Sequence, residues 1–514
     1  MSKQQRPVLL IVILVLIVGL VGPVALPGMA KAVHAHPLLG QLATANPDSL
    51  VAVIVQKAGA SHRAEQLTTA LGGVITKDLH IINAFAAEMR AGAALELAAS
   101  PAVRWVSLDA PIINAGSATS TINTSNLMTV FIQTIGADRV WNEGPAYLQG
   151  QGVTVAVIDS GDCSDCLDLR DVNNKTRILA AASVMTGPGS GPQDYYGHGS
   201  LIEGIVGNNG TGSSYKYMGV APNVNLVSVK IADSLGKALS SDVVNGLQWA
   251  LSNKSTYNIR VVTLSLNSTA LESYNTNPIN AAVEILWFNG IVVVVSAGNN
   301  STAGLYPPAN DPFVITVGAT DDKGTASPSD DSMAPFSAYG TTESGIAKPD
   351  LVAPGTNIIS FVPKTKNKIY KDHSSNRTGD SASNEYYMRV SGTSFSGPIV
   401  AGAVALLLQD EPNLTPDQVK YRLMATANKS WPGYNAAMAG AGYLDIYTAV
   451  HGTSTESANT GLTASQLLWT GTEPITWGSV AWNSVAWNSV AWNSVAWNSV
   501  AWNSVAWNSD YWGP

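Results

Sequence analysis

The sequence predicts an α/β fold, a doubly wound parallel sheet, preceded by a small ferredoxin-like α+β domain. Three observations carry that expectation. Five segments between Gly152 and Thr320 ("GVTVAVID", "VNLVSVKIA", "IRVVTLSL", "IVVVVSAG" and "FVITVGAT") are almost unbroken apolar runs, as strands covered on both faces must be. Helix-like segments alternate with them, the order of a sheet wound from βαβ units. Upstream, residues 49–111 read in βαββαβ order, the pattern of a split βαβ sandwich.

The elements follow in chain order. "MSKQQRP" carries Lys3 and Arg6, and Val8 to Leu26 is free of charge. "GMAKAVHA" then offers small-residue cleavage sites after Ala32 or Ala35. Residues 1–35 therefore read as an export signal, or as a membrane anchor if the apolar run is retained, although Gly22, Pro23 and Pro27 interrupt its second half. Either outcome places the rest of the chain outside the cytoplasm. In 49–111, "LVAVIVQ" is a strand, "SHRAEQLTTALGG" a helix stopped by its glycines, and "VITKDLHIINAFAAEMR" a pair of strands. "AGAALELAASP" is a second helix and "AVRWVSLDAP" the closing strand.

A Ser/Thr/Asn-rich linker spans 112–135, and 136–450 forms the sheet domain. Its best-punctuated helix is "NPINAAVEILWFN". Asn277 caps it, Pro278 fits its first turn, Gly290 follows its end, and Ile279, Val283, Leu286 and Trp287 share one face. A second linker covers 451–478. The tail, 479–514, repeats "SVAWN" six times from Ser479 to Asn508. A period of five suits neither one helix nor one strand. It fits a small repetitive β-structure, or a sticky tail that binds a cell-surface ligand through exposed indoles.

Only 12% of residues are charged, against about a quarter in ordinary domains. With a net charge of −8 there is no basic footprint for nucleic acid.

Three constellations fall at strand ends, where doubly wound sheets collect their sites. Asp159 lies in "VAVIDSG", where a strand runs into a glycine turn. His198 lies in "DYYGHGSLIEG" at the start of a helical stretch. Ser394 lies in "SGTSFSGPIVAGAVALLL", delivered by a glycine turn to a long apolar helix whose Pro398 is expected in its first turn. Each alone is ordinary turn, structural or cap chemistry. Together they supply a carboxylate, an imidazole and a hydroxyl, the parts of an activated serine nucleophile.

The order Asp, His, Ser is that of subtilisin; α/β-hydrolases run Ser, Asp, His and chymotrypsins His, Asp, Ser. "VIDSG", "GHGS", "SLN", "SAGN", "KPDLVAPG" and "SGTSFSGP" occur in the same order as in the subtilisin-like serine peptidases, which the chain closely resembles. Residues 49–111, through "INAFAAEM" and "VRWVSLD", resemble that family's inhibitory propeptide.

The resemblance implies a secreted serine endopeptidase, self-processed from a zymogen by a cut between Pro111 and Val140. Ser394 is the implied nucleophile, His198 its base, Asp159 the orienting carboxylate and Asn299 of "SAGNN" an oxyanion donor. Ser265, Leu266 and Asn267 form the implied edge for an extended peptide substrate. The family usually has glycine at Asn267, which implies a narrower or more polar pocket for the residue before the cut. No cofactor is implied for the chemistry.

The chain also departs from the pattern. Leu201 and Glu203 replace a histidine and a small residue, and Phe395 replaces a common methionine. The polar insert "KTKNKIYKDHSSNRTGDSASNEYY", Lys364 to Tyr387, reads as an exposed loop near the nucleophile. Structural calcium is common in the family; Asp168 aligns with one of its ligands, and "GNNGTGSS" (Gly207 to Ser214) supplies hard oxygen donors.

The chain has two cysteines, Cys163 and Cys166. With no His or Cys cluster beside them, a metal site is not indicated, and the pattern lacks a thioredoxin-like unit. In an exported chain they are expected to form a local disulfide that braces the loop after Asp159. A competing reading makes the chain a catalytically silent relative that binds through its Trp-rich tail.

Overall fold

A computed structural model of the chain describes residues 34–109, 121–187, 189–302, 304–364, 367–468 and 504–506. The segment expected as an export signal up to residue 33, the part of the expected linker between 110 and 120, and the tail apart from 504–506 lie outside the described residues. The chain divides into two units between Ala118 and Thr119. Among the described residues, no helix is long and apolar enough to cross a membrane.

The first unit runs β1 (Leu50–Lys57), helix Arg63–Ala70, β2 (Val74–Leu79), β3 (Ala84–Arg90), helix Ala91–Ala98, β4 (Val103–Leu108). The strands form an antiparallel sheet in the order β2–β3–β1–β4, matching the expected βαββαβ pattern. Alternation in β1 turns Val53 and Val55 inward, where they pack with Ala94 and Leu97. The unit starts earlier than expected. A helix, Pro37–Ala45, precedes β1 and buries Leu39 in the same core.

In the second unit the strands are β5 (Thr154–Asp159), β6 (Ile178–Ser183), β7 (Asn225–Lys230), β8 (Lys237–Leu239), β9 (Ile259–Leu264), β10 (Asn267–Ser268), β11 (Val292–Ser296), β12 (Ile315–Asp321) and β13 (Ser332–Met333). Then come β14 (Gly340–Thr341), β15 (Ala347–Lys348), β16 (Leu351–Pro354), β17 (Ile358–Pro363), β18 (Arg377–Ser381), β19 (Glu385–Val390) and β20 (Ser504–Ala506). The main sheet has the order β13–β12–β11–β9–β5–β7–β6, with β16 also on β12, and it is parallel apart from β13. Every residue of β5 and β11 is buried, which is what their unbroken apolar runs require. From β5 the chain passes to the edge strand β6 and back to β7, then crosses to the other side of β5 to add β9, β11 and β12 in turn. The resulting crevice opens at the carboxyl ends of the central strands.

The helix Thr393–Asp410 lies in the core and is buried from Thr393 to Leu408. Pro398 is its sixth residue, a turn deeper than the sequence suggested. Two segments expected as linkers are also structured. Val130–Thr134 is helical and buries Phe131 and Ile132. Beyond residue 451, Ala464 and Leu468 are buried, and the Ser465 N–H donates to Glu284 at 2.7 Å.

The turn leaving β5 depends on Gly161. Its φ is +133°, and a Cβ there would lie 2.6 Å from the Pro192 carbonyl oxygen. Gly161→Ala is expected to cost about 3 kcal/mol or more through strain and overpacking, read as a lower denaturant midpoint at unchanged m-value.

Candidate active site

Asp159 ends β5, and His198 opens the helix His198–Gly207. The His198 Nδ1 lies 2.9 Å and 3.0 Å from the two Asp159 carboxylate oxygens. The Ser160 N–H donates to Asp159 Oδ1 at 2.7 Å, so one oxygen is held twice. Ser394 starts the core helix, and neighbouring Phe395 packs its ring 5.6 Å from the His198 ring. Asp159, His198 and Ser394 are 1%, 0% and 6% exposed. Asp159 and His198 are thus paired in the interior, and Ser394 enters the same crevice one residue before the Phe395 ring that faces the imidazole; buried dipoles act strongly there.

Pro398 explains part of the framework around Ser394. A proline has no N–H for the carbonyl four residues back, here that of Ser394. The Ser265 hydroxyl donates to that carbonyl at 2.7 Å instead. The Ser394 hydroxyl in turn donates to the Ser265 carbonyl at 3.4 Å. Ser265 and Leu266 are buried between β9 and β10. The Asn267 Nδ2 donates to the Ser296 carbonyl at 3.2 Å, tying the strand edge to the end of β11. A Cβ on Gly298 would stand 3.4 Å from Asn267 Oδ1, so this side chain narrows the space beside β11.

Asn299 follows β11. Its Oδ1 accepts from both the N–H and the hydroxyl of Thr393, each at 2.8 Å. That pairing assigns the amide orientation and makes Nδ2 the donor end of the group. It stands beside the N-terminus of the Ser394 helix, whose dipole favours an anion.

Sequence reasoning missed the group that joins these loops, Asp194. Fully buried, it accepts from Ser160 Oγ, from the Gly197 and Ser200 N–H groups and from Ser200 Oγ, all between 2.7 Å and 2.9 Å. It therefore caps the His198 helix and fixes the turn after Asp159 at once. The local signal was Asp194 with Ser200 six residues on, straddling "GHG". Burial holds the Asp194 carboxyl above its usual range despite these donors. Lys230 at the end of β7 adds a second clamp, donating to the carbonyls of Ser160 (2.9 Å) and Gln193 (2.7 Å).

Both departures in "HGSLIEG" are accommodated. Leu201 is fully buried and its carbonyl accepts from Ser360 Oγ at 2.8 Å. Glu203, also fully buried, accepts from the Cys163 N–H at 3.1 Å. Cys163 and Cys166 are joined in a disulfide with Cα atoms 5.4 Å apart. The acid thus holds the disulfide loop against the helix that carries His198. Burial, reinforced by the nearby Asp162 carboxylate, pushes the Glu203 carboxyl well above the ordinary range.

The polar insert is not the exposed loop its composition suggested. It forms the helix Lys368–Asp372, β18 and much of β19, and β18 and β19 join β17 in a three-stranded sheet. Its Lys368 and Ile369 N–H groups donate to the carbonyls of Tyr195 and Tyr196, each at 3.0 Å, just before His198. Composition hid this because the inward residues, Ile369, Glu385 and Tyr387, are few among polar neighbours.

The residues around Asp168 do not fit a calcium ion. Its Oδ2 accepts from Tyr387 Oη at 2.7 Å and its Oδ1 from the Gly212 N–H. The buried Arg177 guanidinium donates to the carbonyls of Asp168, Gly207 and Val224, so a protein cation already faces these oxygens. The amide oxygens of Asn208 and Asn209 serve their own loop's N–H groups. Among the described residues no cluster of three His, Cys, Asp or Glu side chains is arranged to hold a metal.

Comparison with known proteins gives the family. The model of the subtilase family matches residues 150–443. Serine protease AprX of Bacillus subtilis (strain 168) is 38% identical over 316 residues, covering 59% of this chain and 67% of AprX. Subtilisin DY of Bacillus licheniformis is 33% identical over 306 residues, 58% of this chain and 90% of that protein. Subtilisin NAT of Bacillus subtilis subsp. natto is 31% identical over 377 residues, 71% of this chain and 81% of its own length.

Glu203 makes a pH prediction. Below its ordinary pKa of 4.5 the acid is protonated whether folded or unfolded. Above it, the unfolded chain releases a proton that the folded chain keeps, so this group lowers stability as pH rises. Glu203→Gln removes that effect. The variant should gain on the parent from pH 4.5 upward, by about 1.4 kcal/mol per pH unit at most, in denaturation curves taken at pH 5, 6.5 and 8.

Proposed function

We infer that this chain, which belongs to the subtilase family and is a serine endopeptidase, cleaves peptide bonds through Ser394, His198 and Asp159. Ser394 Oγ attacks the scissile carbonyl. His198 takes the hydroxyl proton and returns it to the leaving amine. Asp159 holds the imidazole with its proton on Nδ1 and stabilises the imidazolium that forms. The observation that carries this reading is the paired approach of His198 Nδ1 to both oxygens of buried Asp159, at 2.9 Å and 3.0 Å.

The developing oxyanion is received by Asn299 Nδ2 and the Ser394 N–H. Thr393, by taking the Asn299 oxygen, orients the amide before substrate arrives. One such donor contributes roughly 3 kcal/mol, a value known from a subtilisin. The substrate is a protein or peptide bound as an extended strand along Ser265–Asn267, main chain to main chain. All of these groups belong to the protein, and the reaction needs no cofactor.

The chain is exported and made as a zymogen. Export is supported by the charge-free run Val8 to Leu26 and by the disulfide of Cys163 and Cys166. The propeptide role of the first unit is supported by its own buried core. The maturing cut falls before Val130, because from there the chain is helical and buries Phe131.

A fluorophosphonate probe should label the processed protein on Ser394, and Ser394→Ala should abolish both labelling and peptide hydrolysis. A processed protein that stays unlabelled would overturn the triad and favour a silent, tail-binding protein.

Because Asn267 narrows the space beside β11, the parent should favour small or polar residues before the cut. Asn267→Gly should raise kcat/KM for large aromatic residues there by about tenfold or more, in a peptide library profiled for both enzymes.

A further inference from the structure

The last of the six "SVAWN" copies begins at Ser504, and its first three residues form β20. β20 lies between β8 and β10 in a three-stranded sheet of order β10–β20–β8. It is antiparallel to both. Ala506 and Val505 pair with Asn267 and Ser268, while Ser504, Val505 and Ala506 pair with Leu239, Ala238 and Lys237. β10 begins at Asn267, the end of the edge assigned above to the substrate. β8 and β10 therefore face one another across a slot one strand wide, about 10 Å between their axes, and the chain's own tail fills it.

The direction of β20 is informative. As its residue number rises from 505 to 506, its partner on β10 falls from Ser268 to Asn267. The strand is heading toward Ser265, whose carbonyl lies 3.4 Å from Ser394 Oγ. A peptide substrate cut downstream of its paired stretch must run the same way. The occupant thus has the polarity of a substrate, and it pairs with the parts of the two edges that local bonds leave over, since the Lys237, Leu239 and Ser268 N–H groups already donate to Asp233, Asp242 and Pro307.

Resting on the peptidase reading above, we propose that the SVAWN tail is an intramolecular competitor that closes the substrate slot by adding a strand between β8 and β10. Substrate binds when it displaces the tail. The repetition has a physical consequence: six equivalent "SVA" segments on one tether raise the effective concentration of a competent strand without needing a tight one. The repeats then act toward the chain's own cleft rather than toward an external surface.

The test uses the full chain with Val480, Val485, Val490, Val495, Val500 and Val505 all changed to Pro. This keeps the tail's length and tryptophans but removes its ability to pair as a central strand. Hydrogen exchange is followed at the amides of Ala238 and Asn267, because the Lys237, Leu239 and Ser268 N–H groups donate to Asp233, Asp242 and Pro307 whether or not the tail is seated, and steady-state kinetics on an unlinked peptide substrate with the processed enzyme. The proline tail should exchange faster at both strands. Its KM should fall about two- to tenfold, the range for a tethered competitor at millimolar effective concentration, with kcat unchanged. Equal exchange in the two chains would overturn the proposal, as would an equal KM. Release of the tail by the active enzyme, with its retention in Ser394→Ala, would also overturn it, making the tail a substrate. The absence of turnover and of fluorophosphonate labelling in both chains would instead sink the peptidase reading, while the exchange comparison still decides where the tail lies.

Discussion

The missing N–H of Pro398 is the constraint around which the site is organised. It leaves the Ser394 carbonyl without its helical donor, and Ser265 supplies the replacement at 2.7 Å. An unpaired buried carbonyl would cost about 1–3 kcal/mol, so the bond is a structural necessity as well as a contact. It joins the helix that carries Ser394 to the segment that leads from β9 into β10. The Ser394 hydroxyl and the Ser265 carbonyl consequently share one frame.

The second half of the site is held by buried ionisable groups. Asp194 collects donors from the turn after Asp159 and from the start of the His198 helix. Lys230 clamps the carbonyls of Ser160 and Gln193, the residues at the two ends of the same junction. Glu203 reaches from that helix to the Cys163 N–H. Burial penalises these ionised groups, raising the acids and lowering the Lys230 ammonium. What they gain is position: each one fixes the backbone on either side of Asp159 and His198 so that the imidazole meets the carboxylate with both oxygens.

The opening of the cleft is shaped by elements outside the central sheet. The insert from Lys364 to Tyr387 pairs with the backbone before His198 and sends Tyr387 to Asp168. There, the Arg177 guanidinium and Tyr387 take the oxygens that a calcium ion would need. On the other side of the nucleophile, β8 and β10 leave a gap that a strand of this chain completes. One region is thus locked by internal polar pairs, while the other remains a main-chain edge open to exchange between tail and substrate.

Much of this was legible along the chain. Unbroken apolar runs declared a parallel sheet because hydrophobic burial acts on each strand through its own residues. Short motifs at the strand ends declared Asp159, His198, Ser394 and Asn299, because glycine turns and helix starts are local events. The partners that make those residues a site were not legible in this way. Ser265 meets Ser394 across 129 residues and Asn299 meets Thr393 across 94. Composition made the insert look like a loop, the family resemblance made Asp168 a metal candidate, and only packing revealed Tyr387 and Arg177 beside it. The last repeat told the same story: the period of five excluded a single regular element, but only pairing with β8 and β10 gave Ser504–Ala506 a place. The sequence by itself determined the sheet and nominated the candidate reacting groups, because backbone propensity and burial are properties of a stretch of chain. The tertiary structure decided how polar groups are satisfied and what fills the cleft, because a buried hydrogen bond needs a second partner that chain order does not name.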